Sequence, residues 1–290
     1  IWNATRFVLM NIEDYKETEI SKEEISLEDR WILSRLQRVQ GIVSDAIEGY
    51  DFNIAAKAVY NFFWSEFCDW YIESVKPRLN SEEKRIVQHV LIKVLDNSFK
   101  MLHPFMPFIT EELWQKLDVE DGELMTSSWP ELKKELVDEE AEAKYSLLMD
   151  MVRGIRNVKA DLNIPPTIKV RAYFTGANPE DEIKFLIETL ANAELMEFQD
   201  NKLPESVTAY ADEKRTIYVK LVEIDIQNEL KRLEKKLSKI ENEVERFRKK
   251  LSNEQFLENA PEDIIEETRE KLQDATASKK KLERLIEDLK

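Results

Sequence analysis

The sequence is poor in the residues that build many kinds of site. Its 290 residues include one cysteine, two histidines and five glycines. A lone Cys68 excludes an intramolecular disulfide and a cysteine-cluster zinc site. Its place in an aromatic helical run reads as a buried, inert thiol. So few glycines argue against glycine-rich phosphate loops and against a turn-dense all-β fold. No run of about 18 apolar residues occurs, and no charged-then-apolar leader precedes the first helix, so no membrane partner is expected and the chain reads as cytoplasmic. Ile1-Trp2-Asn3 falls in a helical pattern with no initiating Met, which points to an excised piece of a larger protein. An excess of positive charge is also missing, since 43 Lys and Arg face 59 Asp and Glu for a net of −16. That sum does not exclude a nucleic-acid partner, because binding follows local patches. The acid is uneven: residues 223–290 hold 16 basic and 18 acidic side chains, while the preceding 222 residues carry a net of −14.

What is present is helix. A hydrophobic fraction of 42% supports a real core, and 35% charged residues fit long solvated helices. The first helix is expected to run to about Asn11. A second opens at Ser26-Leu-Glu-Asp29, a capping sequence, and runs to about Glu48 with Trp31, Ile32, Leu36, Val39, Ile42, Val43 and Ile47 near a 3.6 period. A third starts at Asp51 and carries Tyr60, Phe62, Phe63, Trp64, Phe67, Trp70 and Tyr71. So many aromatics around one helix are mostly bundle core rather than a platform for stacking bases. Ser81-Glu-Glu opens a fourth helix. It closes at the elbow Leu102-His-Pro-Phe-Met-Pro-Phe-Ile-Thr-Glu-Glu-Leu-Trp114, where Pro104 ends one helix and Pro107 suits the first turn of the next. Phe105, Met106, Phe108, Leu113 and Trp114 make this elbow too apolar for a solvated loop, so it is expected to be packed. After a helix over 140–160 the period changes to alternation. Residues 167–174, 207–211 and 216–222 read as strands around a helix over 180–190.

The tail carries a heptad seam. Ile226, Leu230, Leu233, Leu237, Ile240, Val244, Phe247 and Leu251 are spaced 4-3-4-3-4-3-4. A break at Ser252-Asn-Glu and Asn259-Ala-Pro261 follows. Ile265, Thr268, Leu272, Ala275, Lys279, Leu282, Ile286 and Leu289 then resume the spacing. Two such helices are expected to fold back as an antiparallel coiled-coil hairpin about 40 Å long. Turning near residue 257 sets Lys279, Lys280, Lys281 and Arg284 opposite Arg232, Lys235 and Lys236. This makes a basic stem, with an acidic tip of Glu254, Glu258, Glu262, Asp263, Glu266 and Glu267. The fold class is mainly α: a helical bundle (1–125), a linker helix with a small α+β junction module (126–222), and the hairpin (223–290). Each seam finds its partner in the same chain, so a monomer is expected.

Several motifs resemble one family. Trp2-Asn-Ala-Thr-Arg-Phe7, Asp29-Arg-Trp-Ile-Leu-Ser-Arg-Leu36, Phe62-Phe-Trp-Ser-Glu-Phe-Cys-Asp-Trp-Tyr71, the elbow, Ile155-Arg-Asn157 leading to Asn163-Ile-Pro-Pro166, and the hairpin break occur in the order seen in valyl-tRNA synthetases. These are class I aminoacyl-tRNA synthetases of the valine, isoleucine and leucine group. The resemblance implies that the bundle grips the anticodon stem and loop of valine tRNA, while the terminal arm touches its outer corner. Asn3, Arg6 and Phe7 match the family's anticodon-side motif: an amide for base edges, a guanidinium for phosphate or base, a ring for stacking. Trp31 and Arg35 read as structural. On the arm, Arg232, Lys235, Lys236, Lys280 and Lys281 are the candidate backbone contacts.

The resemblance also implies ATP and magnesium for the parent enzyme, but no cofactor, metal ligand or catalytic residue in this chain. The family's His-x-Gly-His and Lys-Met-Ser-Lys runs do not occur; His89 and His103 are the only histidines. Glu111 and Glu112 point about 100° apart on a helix and make a poor acid–base pair. Two other readings stand beside this one. The chain could be a helical adaptor without an RNA role, or the equivalent piece of an isoleucine enzyme.

Overall fold

A computed structural model describes residues 1–16, 20–119, 121–161, 164–174, 179–196, 208–211, 216–221, 223–253 and 262–288. The chain divides into two compact units, Ile1–Asp150 with Pro179–Leu190, and Met151–Asn178 with Ala191–Lys290.

The first unit is a helical bundle of α1 (Trp2–Ile12), α2 (Leu27–Glu48), α3 (Phe52–Asn61), α4 (Ile72–Val75), α5 (Lys84–Leu102), α6 (Pro107–Trp114), the start of α7 (Glu139–Asp161) and most of α8 (Asp181–Ala191). At the start of α2 the Asp29 carboxylate accepts hydrogen bonds from the Ser26 N–H at 3.3 Å and the Ser26 hydroxyl at 3.0 Å. That satisfies a donor the helix itself leaves unpaired. The same carboxylate takes the Tyr71 hydroxyl at 2.7 Å and Arg78 Nη2 at 2.8 Å. Arg78 also reaches Glu28 at 2.9 Å and Glu83 at 2.5 Å. All of Glu28, Asp29 and Arg78 are buried. Burial and the neighbouring Asp29 charge raise the pKa of Glu28, with Arg78 opposing. Burial works against the charge on Arg78, but its bonds to Asp29 and the fields of Asp29 and Glu28 outweigh that and raise its pKa.

The third helix of the sequence reading is not uniform. Between α3 and α4, Phe62–Tyr71 winds as a π-helix. Phe62, Phe63, Phe67, Trp70 and Tyr71 are buried there, whereas Tyr60 and Trp64 are exposed. Trp31 stacks on Tyr145 of α7, with centroids 3.9 Å apart and planes 11° apart. Arg35 is held by Glu66 through Nε at 2.7 Å and Nη2 at 2.9 Å. Both therefore serve the bundle, as the sequence indicated.

The elbow departs from expectation. His103 caps α5 and Pro107 begins α6, as read. Leu113 and Trp114 are buried, and the Trp114 indole donates to Asp96 at 2.7 Å. Phe108, however, is 91% exposed and Met106 is 42% exposed. The inward face of α6 is Thr110, Leu113 and Trp114, and Phe108 lies two residues, about 200°, from Thr110. The fully packed elbow is thus corrected to a half-packed one. Ile42, one of the apolar positions at the 3.6 period of the second helix, is likewise exposed, at 48%.

The second unit holds a four-stranded sheet in the order β2-β1-β4-β3, from β1 (Val170–Phe174), β2 (Ala193–Met196), β3 (Thr208–Ala211) and β4 (Thr216–Leu221). β1 and β2 are parallel, with Val170 opposite Ala193. β4 is antiparallel to both β1 and β3. β2 was not legible, because Ala-Glu-Leu-Met favours helix. It follows Asn192, whose φ of 46° breaks the helix before it. Lys159 of α7 is buried and donates to the carbonyls of Ile168, Ala191 and Asn192 at 2.7, 2.7 and 2.8 Å. Burial, then the nearby Arg156 charge, lowers its pKa to about 8.

The tail forms α9 (Glu223–Leu251) and α10 (Glu262–Asp288), which lie in contact. Glu241 meets Lys279 at 2.9 Å, and the field of Lys250 reaches Glu267, so α10 runs back along α9. Leu233, Val244, Thr268 and Ile286 of the seam are buried, and its other described side chains are half-buried. Asn163, Val207, Val222, the break over 254–261 and Leu289 lie outside the described residues.

Candidate nucleic-acid interface

The first candidate surface is an open groove of about 420 Å³ lined by Asn3, Phe7, Trp64, Cys68 and Lys76, among others. It exists because α1 presents one face to the bundle, burying Thr5 and Val8. Asn3 and Arg6 are left exposed and Phe7 half-buried. Asn3 and Phe7 are one helical turn apart, so amide and ring share a face. Phe7 is therefore neither core nor free; its backbone carbonyl accepts from the Asn11 amide at 2.7 Å. Lys76 sits 6.0 Å from the centroid of the Phe7 ring, in reach of a cation–π contact, and pairs with Glu73 at 2.6 Å. The sequence reading did not single out Lys76 as a site residue; only folding brings it beside the start of the chain. Burial pushes the Cys68 thiol up to about 11, which keeps it protonated and inert at neutral pH.

The second surface is on the long helices. Arg232, Lys235 and Lys236 of α9 and Lys280 of α10 are exposed. Arg232 Nη2 lies 3.4 Å from the Thr167 hydroxyl. The Lys281 side chain falls outside the described residues. The expected register is corrected here. Lys279 faces Glu241 and also Glu283 at 3.5 Å, instead of standing opposite Arg232, Lys235 and Lys236. The basic groups of α10 near Lys279 therefore sit further along α9, and one of them is neutralised by α9 itself. The two described carboxylates toward the tip, Glu266 and Glu267, pair with Arg269 at 3.3 Å and Lys271 at 2.7 Å.

No catalytic array accompanies these surfaces among the described residues. Glu111 accepts from Gln115 at 2.9 Å and from the Leu124 N–H at 3.1 Å, while Glu112 pairs with Lys116 at 2.7 Å. Both have structural partners. Among the described residues no group of three His, Cys, Asp or Glu converges to hold a metal ion. Nor is any helix there long and apolar enough to cross a membrane.

An exposed amide and guanidinium beside a half-buried ring on one helix, followed by a helical bundle and two long helices with exposed cations, is chemistry that suits RNA. Residues 29–174 match the family described as the anticodon-binding domain of tRNA ligase. The chain belongs to this family. Downstream of its anticodon-binding domain, residues 225–290 match the family described as the valyl tRNA synthetase tRNA binding arm. The whole chain is 50% identical over 290 residues to a valine–tRNA ligase of Thermotoga maritima, covering 33% of that protein. It is 47% identical to that of Fervidobacterium nodosum, again over 33% of the relative. Against the enzyme of Geobacillus stearothermophilus the identity is 38%, over 34%. The chain thus spans about a third of the length of these relatives.

Proposed function

We propose that this chain is the tRNA-binding portion of a valine–tRNA ligase. In this reading the bundle takes the anticodon stem and loop of valine tRNA, and α9 with α10 takes its outer corner. The observation that carries it is the pair of matches, anticodon-binding domain then tRNA binding arm, on consecutive parts of one chain. The site chemistry supports the division. Asn3 offers both a donor and an acceptor to a base edge, Arg6 offers charge, and Phe7 offers a ring face to an unpaired base. Arg232, Lys235, Lys236, Lys280 and Lys281 offer point charges suited to phosphates and carry no sequence information. In this reading the protein works in the cytoplasm, and as a monomer because α9 already has its partner in α10.

In this reading the ATP and magnesium that valine ligation needs are held outside the described residues. Neither histidine is followed two places on by Gly-His, and the described acids form no cluster for a cation. We therefore assign the joining chemistry to parts of the enzyme outside these 290 residues. This chain positions the tRNA.

The test is binding to valine tRNA and to isoleucine tRNA over a salt series. The reading predicts affinity that falls as salt rises and that prefers valine tRNA. A preference for isoleucine tRNA would assign the chain to an isoleucine enzyme. Binding that is absent at low salt would favour a protein adaptor.

A further inference from the structure

The groove that holds Asn3 and Phe7 has an aromatic wall to which the family motif gives no role. Of the seven aromatics between positions 60 and 71, five are buried, while Tyr60 is 54% and Trp64 is 43% exposed. These two are stacked on each other, with centroids 5.3 Å apart and planes 14° apart. Trp64 lines the groove. Trp64 meets the buried Phe63 ring only at a tilt, with centroids 6.4 Å and planes 56° apart, and lays its face against the second exposed ring, Tyr60. It also offers a flat face already held in place, so little side-chain freedom is lost when something stacks on it. The stretch carrying Trp64 is the π-helical one, a form that is rare and concentrated at functional positions.

We propose that Tyr60 and Trp64 form a stacking floor for an unpaired base of the tRNA anticodon loop. Phe7 lines the same groove, and Lys76 stands beside it to meet a phosphate. This rests on reading the groove as the anticodon-side surface. Its occupant is set by chemistry. Every base has a π face that stacks on tryptophan, and the ammonium of Lys76 complements the RNA backbone. Glu73, which pairs with Lys76, is about half exposed and is left to solvent once a phosphate takes its place. The floor is indifferent to which base it carries. Selection among bases is left to Asn3 and Arg6.

The experiment uses the full chain and an RNA hairpin with the anticodon stem and loop of valine tRNA, one loop base at a time replaced by 2-aminopurine. Stacking quenches the fluorescence of that base. Wild-type protein is expected to bind and to quench one loop position. Trp64→Ala should weaken binding by roughly 5- to 150-fold, the range for losing one base–aromatic stack, and restore the fluorescence at saturation. Trp64→Phe should keep most of both signals, and Tyr60→Ala, which removes the backing ring, should give a smaller loss. Melting curves of the variants guard against a folding defect, which the exposure of both rings makes small. If Trp64→Ala binds and quenches like wild type while Arg6→Ala is weakened, the stacking floor is wrong and the anticodon surface stands. If wild type does not bind the hairpin at all, the anticodon reading itself fails and takes the floor with it.

Discussion

Replacing Arg78 by methionine should cost the bundle more than any single surface change. Arg78 donates to Glu28 at 2.9 Å and Asp29 at 2.8 Å, both buried, and to the more exposed Glu83 at 2.5 Å. The bond to Glu83 is that of a surface pair, worth at most about 1 kcal/mol. The other two are different. Methionine fills much of the space of the arginine stem but leaves two carboxylates in the interior without their counter-charge, a loss of about 3–5 kcal/mol. For a unit of this size each kcal/mol moves the midpoint by about 2–4 °C, so a drop of about 6–20 °C is expected. Calorimetry measures it, together with the near-ultraviolet signal of the Trp31–Tyr145 stack. Acid should narrow the gap. Glu28 has its folded pKa raised above its unfolded value, so its penalty is full above the folded pKa and disappears as pH falls to the ordinary carboxylate range. Without Arg78 that raised pKa moves further up, and the difference between variant and wild type should be smaller at pH 5 than at pH 7.5. A loss under about 1 kcal/mol, or a gap that widens in acid, would refute the cluster as a buried, mutually compensated set.

Other consequences are as direct. Lys159→Met removes a donor from three carbonyls, of which that of Asn192 keeps the Val170 N–H at 3.3 Å, and should destabilise the sheet-bearing unit by about 3 kcal/mol, read by hydrogen exchange at β1 and β2. Because Lys159 titrates near 8 when folded, below its usual 10.5, the unfolded chain binds more protons between those values. Stability of that unit should therefore rise with pH across this window in wild type and not in Lys159→Met. Phe108→Ser should change stability by no more than about 0.5 kcal/mol, whereas Trp114→Ala should cost about 3–5 kcal/mol; equal losses in urea unfolding would restore the fully packed elbow. Changing Lys235, Lys236, Lys280 and Lys281 to Glu should weaken every tRNA alike and flatten the salt slope by about 0.7–0.9 for each phosphate no longer neutralised. An unchanged slope removes these helices from the interface.

The sequence was informative where one physical rule acts alone. Ser26 and Asp29 announced the start of α2 because a capping box is local, and the two prolines of the elbow bounded α5 and α6 for the same reason. The two long helices α9 and α10 followed from spacing, with Leu233, Val244, Thr268 and Ile286 of the heptad series buried. Where tertiary contact decides, the sequence was silent or misleading. Phe108 has a core residue's chemistry, and only the rotation of α6 shows that it faces solvent. Arg78 and Lys76, two residues apart, look alike in the chain; folding buries one among carboxylates and leaves the other beside Phe7. Asn3, Arg6 and Phe7 were legible as a motif, but only Asn3 and Phe7 line the groove, together with Trp64 and Lys76 from about 60 to 70 positions downstream. The position of Lys279 opposite Glu241 depends on the register between the two helices, which heptad spacing within each helix does not encode.

The central claim is that this chain reads an anticodon. It is tested most directly by measuring its affinity for valine tRNA and for the same tRNA with another anticodon, at one salt concentration. The account predicts weaker binding on the swap, by about 1–3 kcal/mol for each base that is no longer recognised. Equal affinity for both would leave the chain a binder of tRNA backbone and contradict the role given to Asn3, Arg6 and Phe7.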